Sequence, residues 1–263
     1  MKYFLDTEFI EGTQKKKILG IPYGETQNTI DLISIGIVSE DKREYYAISK
    51  DFNIKEAWNR YQIKEVRGSD YWDEVKEYWI RENVLKPIFD EMEFWYRRDF
   101  QWRLKEEGEY IYSKKAKFTL NQFKYLLSVY GKTNKEIAKE VIDFCSGFEG
   151  DFNQVMDDNI QFYAYYCSYD WVVFCWLFGK MIDLPKGFPK YCNDLKVMLN
   201  DIAARRDLQL AVNDSIPLKG IDQLELHPDY PKKEGEHNAL QDAWWDFRLY
   251  NFINKISKQD DKI

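Results

Sequence analysis

Histidine is nearly absent from this chain of 263 residues: there are two, His227 and His237, and neither stands near a cysteine in a zinc-ligand spacing. The four cysteines, Cys145, Cys167, Cys175 and Cys192, form no C-x-x-C pair. So few, scattered thiols read as a reduced protein of the cytoplasm and exclude a disulfide scaffold. No apolar run approaches 18 residues, so no membrane span is expected. Only three apolar residues separate Lys2 from Asp6, too few for the core of a signal peptide. Repeats and low-complexity linkers are missing as well. The net charge of −7 provides no overall attraction for nucleic acid, so a polyanionic partner must be held by a local basic patch or by metal ions.

Aromatic residues, by contrast, make up 17% of the chain, enough both to fill a core and to stack on the rings of a ligand. Length and composition fit one large domain over 1–263, or two small ones. The chain opens on Tyr3, Phe4 and Leu5, a buried strand in pattern, followed at once by Asp6 and Glu8. Residues i and i+2 of a strand point to one face, so two carboxylates converge at the end of a core strand. Like charges so close are costly without a cation between them.

A polar excursion, 11–28, reads as a loop carrying Lys15, Lys16 and Lys17, either solvated or touching phosphate. Strands are expected over Thr29–Val38 and Arg43–Ile48, giving with the first an antiparallel three-stranded meander. From Ile54 to about Glu91 the spacing of Trp72, Val75, Tyr78 and Trp79 predicts helix. The stretch from Phe94 to Arg103 interleaves rings with cations, Arg97 and Arg98 among them. It suits either a single-strand binding surface or a helix packed on the body or on a partner. Thr133 and Glu136 have capping-box spacing before a helix that ends near Gly147. The loop 147–159 leads to a strand over 160–167. Asp170 follows at the junction with a helix that Gly179 stops, where an acid often serves as a plain N-cap. A helix is expected over Asp194–Arg206 and connecting structure over 220–224 and 228–235. The last helix opens near Glu236, and the polar tail from Lys255 reads as frayed.

His237 and Asp242 are five residues apart, about 500° around a helix, and would diverge if both were helical. They share a site only if His237 lies in the preceding loop, a bend that Gly235 permits. Asp6, Glu8, Asp170 and Asp242 then form an all-oxygen ligand set suited to two Mg²⁺ or Mn²⁺ ions. A histidine with a reference pKa of about 6.5 can take a proton from water near neutral pH.

Asp6-x-Glu8, then Asp170, then His237-x-x-x-x-Asp242 resemble, in that order, the three motifs of the DEDDh 3′→5′ exonucleases. The runs from Tyr3 to Glu11, Ile30 to Val38 and Arg43 to Ala47 are similar to the bacterial RNase AS group of polyadenylate-preferring 3′-exoribonucleases. The resemblance covers 2–49 closely and 160–180 and 235–250 by motif, and leaves 92–118 as an aromatic and basic insertion. It implies an α/β, RNase H-like fold, a mixed central sheet of about five strands in which the antiparallel meander is joined by parallel strands, flanked by helices. It also implies hydrolysis of single-stranded RNA from the 3′ end to 5′-phosphomonoesters. Asp6 would bridge two ions, with Glu8, Asp170 and Asp242 completing the coordination and His237 acting as general base. Phe9 would stack on the terminal base, and Trp171 and Ser34 would contact substrate or else pack in the core; Arg97 and Arg98, outside the resemblance, would meet phosphates if their stretch is a binding surface. A 3′→5′ DNA exonuclease and a non-catalytic single-stranded RNA-binding module stay open as alternatives, as does a homodimer.

Overall fold

A computed structural model describes residues 1–19, 21–67, 72–106, 115–146, 160–212, 224–233, 235 and 237–260. The expected loops at 147–159 and 220–223, and the part of the insertion at 107–114, lie outside the described residues. None of the described helices is long and apolar enough to cross a membrane. The chain divides into two compact units: 1–7, 35–46 and 138–263 form one, 8–34 and 47–137 the other.

The first unit is built on a five-stranded sheet of order β5-β4-β1-β8-β9, whose strands β1, β4 and β5 continue into the second unit. The strands are β1 (Lys2–Gly12), β4 (Thr29–Ser39), β5 (Glu44–Ile48), β8 (Gln161–Ala164) and β9 (Asn193–Asp194). β1 and β8 run parallel with Tyr3 opposite Phe162 and Phe4 opposite Tyr163, and β9 extends the parallel side. On the other side, the Glu40 N–H donates to the Lys2 carbonyl at 2.8 Å, which sets the end of β4 beside the start of β1 and makes that pair antiparallel. The sheet is therefore mixed and flanked by helices, consistent with an RNase H-like fold.

Alternation along β1 sorts its side chains between two layers. Tyr3 faces α4 (Asn134–Ser146), where its hydroxyl donates to the Cys145 carbonyl at 2.8 Å and its ring lies 5.9 Å from Phe144. On the same layer Phe162 of β8 meets Trp171 and Phe174 of α5 (Ser168–Phe178). Phe4 turns the other way, against Phe247 and Tyr250 of the last helix, Ala239–Asp260. That helix packs with α6 (Leu195–Val212) through Leu195, Leu199, Leu249 and Phe252. Through Asp260 the expected fraying from Lys255 does not occur: Ile253 and Ile256 continue the apolar period of Leu249 and Phe252 and are buried.

The second unit departs more from expectation. The excursion after β1 is not a loop but an antiparallel hairpin, β2 (Lys15–Ile18) and β3 (Ile21–Glu25), with Lys15 and Lys16 exposed on it. Ile18, Ile21 and Tyr23 provide the strand preference. The helix expected from Ile54 to Glu91 is only one and a half turns of α1 (Ile54–Asn59) before a second antiparallel hairpin, β6 (Gln62–Arg67) with β7 (Trp72–Glu77). Across this hairpin the Lys64 ammonium lies 2.9 Å from Glu77. Both hairpins expose most of their side chains, so no buried face marked them with an alternating apolar pattern.

A π-helical turn (Arg81–Leu85) then opens into α2 (Lys86–Glu106), which carries the expected aromatic and basic stretch. Its Trp95 and Tyr96 pack against Tyr130 and Tyr125 of α3 (Leu120–Tyr130). The capping box forms as read: the Thr133 N–H and hydroxyl donate to Glu136, and the Glu136 N–H donates back at 3.2 Å.

Gly36 of β4 is where this frame has least room. A methyl group there would overlap the backbone carbonyl of Ala239, the first residue of the last helix. Gly36→Ala is expected to lower stability by about 1–3 kcal/mol, seen as a lower urea midpoint. An unchanged midpoint would show that the helix start does not rest on β4.

Candidate active site

The alternation that sorts the core also sorts the acids. Asp6 and Glu8 follow Phe4 on its face of β1, the face that meets the last helix, henceforth α7. Asn238 caps α7 by accepting the Gln241 N–H at 3.1 Å, and Asp242 falls in its first turn. Asp6, Glu8 and Asp242 each offer one carboxylate oxygen, all three within 4.8 Å of one another. Asp242 is buried, and its Oδ1 receives no hydrogen bond of acceptable geometry.

Asp170 arrives from the other layer. It lies in the first turn of α5, but Cys167, not Asp170, holds the N-cap position. Its Oδ1 accepts the Thr7 backbone N–H at 2.9 Å and the Thr7 hydroxyl at 2.7 Å. Register explains this. The ladder between β1 and β8 runs only from Lys2 to Phe4, and β8 ends at Ala164. The Thr7 N–H would have no strand partner, and the carboxylate replaces one. Asp170 is not one of the three acids within 4.8 Å, though the field of Asp242 reaches it.

His237 lies in the loop before α7, as its spacing from Asp242 requires, with Gly235 at φ 72° ahead of it. Its own φ is 66°, an unusual conformation for a side chain with a Cβ. Its backbone N–H donates to Asp242 Oδ2 at 3.2 Å, so acid and histidine segment are tied together by the main chain.

Two residues of this cluster escaped the sequence reading. Lys233 places its ammonium 3.1 Å from Asp242 Oδ1. Burial works against its charge, but Asp242, Asp6 and Asp246 outweigh it and hold its pKa above the usual lysine range. Asp246, one turn after Asp242 on α7, is 2% exposed and accepts the Tyr165 N–H at 3.1 Å, just past the end of β8. Burial, with the fields of Asp170 and Asp242 adding to it, raises its pKa well above the carboxylate range. The i, i+4 repeat of Asp242 and Asp246 was the available signal. Lys233 had none, since a lysine in a polar loop is ordinarily solvated.

The remaining expected contacts fall in different surroundings. Trp171 is buried, stacked on Phe174 at 5.1 Å between ring centroids. Ser34 is wholly buried on β4. Arg97 pairs at 2.8 Å with the buried Glu93 of its own helix, and Arg98 at 3.2 Å with Asp99. Phe9 lines a cleft of about 550 Å³ in the second unit, together with Glu8, Tyr61 and Trp79.

No protein-family model matches the chain. Its fold and acid cluster belong to an α/β protein with a carboxylate centre. In sequence it is similar to a 3′-5′ exoribonuclease of Mycobacterium tuberculosis strain CDC 1551, at 28% identity over 201 residues, 76% of this chain and 75% of that protein. The 3′-5′ exoribonuclease of strain H37Rv matches with the same identity and coverage.

Burial raises the Asp170 pKa to about 6 against the hydrogen bonds from Thr7 and with the field of Asp242. The folded state therefore holds this proton more tightly than the unfolded chain, whose carboxyl titrates near 3.9. The stability it contributes is present below about pH 4 and is lost as pH rises through 6, a change on the order of 2–3 kcal/mol. In chelator-treated protein, Asp170→Asn is expected to flatten urea midpoints across that window. A profile identical to the wild type would show that Asp170 does not carry it.

Proposed function

We propose that this chain is a metal-dependent 3′→5′ exoribonuclease acting on single-stranded RNA. The observation that carries the reading is the meeting of Asp6, Glu8 and Asp242 within 4.8 Å, and the similarity to 3′-5′ exoribonucleases supports it.

A divalent cation fits this centre on three counts. The donors are all carboxylate oxygens, which hard ions such as Mg²⁺ and Mn²⁺ prefer. Asp242 Oδ1 is buried, and among the described residues the Lys233 ammonium at 3.1 Å is its counter-charge. The charges also call for it: Asp6, Glu8, Asp170, Asp242 and Asp246 face one ammonium, that of Lys233. Like charges about 4 Å apart cost about 4 kcal/mol at an effective dielectric of 20, several times what an exposed ion pair returns. One lysine does not balance the cluster.

Asp6, Glu8 and Asp242 would hold the ions, with Asp170 completing the set from its anchorage on Thr7. Such ions stabilise the attacking and leaving oxygens of a phosphodiester. His237 would accept the proton of the attacking water at an imidazole nitrogen. The water oxygen joins phosphorus, the P–O3′ bond breaks, and O3′ takes a proton from solvent, so the shortened strand keeps a 3′-hydroxyl while a 5′-nucleotide leaves. The backbone bond from His237 to Asp242 keeps the base in register with the centre. The polyadenylate preference implied by the sequence resemblance is part of the same proposal.

A 5′-labelled oligoadenylate with Mg²⁺ or Mn²⁺ should give a ladder shortening from the 3′ end, faster than other homopolymers and than DNA of equal sequence. Intact RNA with every metal and sequence would falsify the reading. Asp6→Asn and Asp242→Asn are expected to reduce the rate by on the order of 10³, and His237→Ala by about 10²–10⁴, with circular dichroism unchanged.

A further inference from the structure

Lys233 belongs to the acid cluster but has no part in the proposed chemistry. It follows a loop that is pinned to α7. The Trp245 indole N–H donates to the Pro231 carbonyl at 3.0 Å, and the Tyr230 ring meets Phe252 edge-on at 5.4 Å between centroids. The backbone just before Lys233 is thus fixed, while the lysine side chain is 41% exposed. Its long flexible stem can carry the ammonium from the acids to water without moving that loop.

The ammonium stands where a cation is wanted. Asp242 Oδ2 accepts the His237 N–H, and the Lys233 ammonium lies 3.1 Å from the other oxygen, Oδ1. That approach lacks hydrogen-bond geometry, so charge rather than a directed bond holds it there. The fields of Asp6 and Asp246 reach it as well, and all four residues belong to the first unit. A divalent ion on Asp242 would sit about 2.1 Å from its oxygen. The ammonium beside it would be repelled with twice the force of a unit charge. Two such cations are not held together by one carboxylate, and the lysine is the one with a way out to solvent.

We infer that Lys233 is the counter-ion that the acid centre uses before metal binds, held on Asp242 until a divalent ion displaces it. The inference rests on the metal-dependent reading of this centre. Metal binding is then an exchange, in which the carboxylates pass from the ammonium to the ion and the lysine returns to water. Linkage ties two effects together: whatever Lys233 adds to stability without metal, it takes from metal affinity.

The test is calorimetric titration of Mn²⁺ into wild type, Lys233→Met and Lys233→Arg, with urea midpoints measured in chelator and in saturating Mn²⁺. Lys233→Met keeps the reach of the side chain and drops its charge. It should bind Mn²⁺ about tenfold more tightly, between the return of a surface ion pair and that of a buried one. Its midpoint should fall in chelator and match wild type in Mn²⁺, while Lys233→Arg should follow wild type in both. A merely structural lysine would lower both midpoints alike. A lysine reserved for a phosphate of RNA would raise KM on substitution and leave Mn²⁺ affinity unchanged. Either result overturns the inference. Mn²⁺ that binds wild type and binds Lys233→Met no more tightly rejects the exchange and leaves the metal reading standing, whereas wild-type protein that binds no Mn²⁺ overturns both.

Discussion

Repulsion among buried carboxylates is the constraint on which the rest of this structure turns. Asp170, Asp242 and Asp246 are each less than one-tenth exposed, and Asp6 stands beside them on β1. Burial alone pushes such groups toward their neutral form, and each neighbour pushes further. The chain answers only in part, with the ammonium of Lys233 and with backbone N–H groups aimed at the acids. A cluster so arranged costs stability, and a protein keeps such a cost where it serves a site.

The main chain holds the acids in place. Thr7 donates to Asp170 where β1 outruns β8, Tyr165 donates to Asp246 just beyond the end of β8, and His237 donates to Asp242 ahead of α7. Each bond satisfies a backbone donor that the sheet or helix would otherwise leave unpaired. The same carboxylates thus finish the secondary structure and furnish the centre. That economy fixes their positions more firmly than side-chain packing would, because a strand end moves only with its sheet.

Much of this was legible from the residues. The apolar run before Asp6, the strand of β4, the capping box at Thr133 and the stop at Gly179 are local signals, and each appears in the structure as read. The five-residue spacing of His237 and Asp242 required a loop histidine, and the positive φ at His237 and Gly235 makes that loop. The hairpin of β6 and β7 was read as helix because Trp72, Val75, Tyr78 and Trp79 stand at helical intervals, whereas its strands pair with each other and Lys64 meets Glu77 across them. The rings and cations of α2 suggested a binding surface, yet Trp95 and Tyr96 pack on α3 and Arg97 holds the buried Glu93.

By itself, then, the order of residues determined the strand carrying Asp6 and Glu8, the turn that frees His237, and the class of ligand that an all-carboxylate set prefers. Those follow from backbone periodicity and donor chemistry, which act over a few residues. Only the tertiary structure decided that Lys233 and Asp246 join the acids and that Asp170 braces Thr7 instead of capping its helix. It also decided that Tyr61 and Trp79 flank a cleft at Glu8. Those depend on where one strand ends against another and which helix lies over that end, distances set by packing across the chain, which no local pattern encodes.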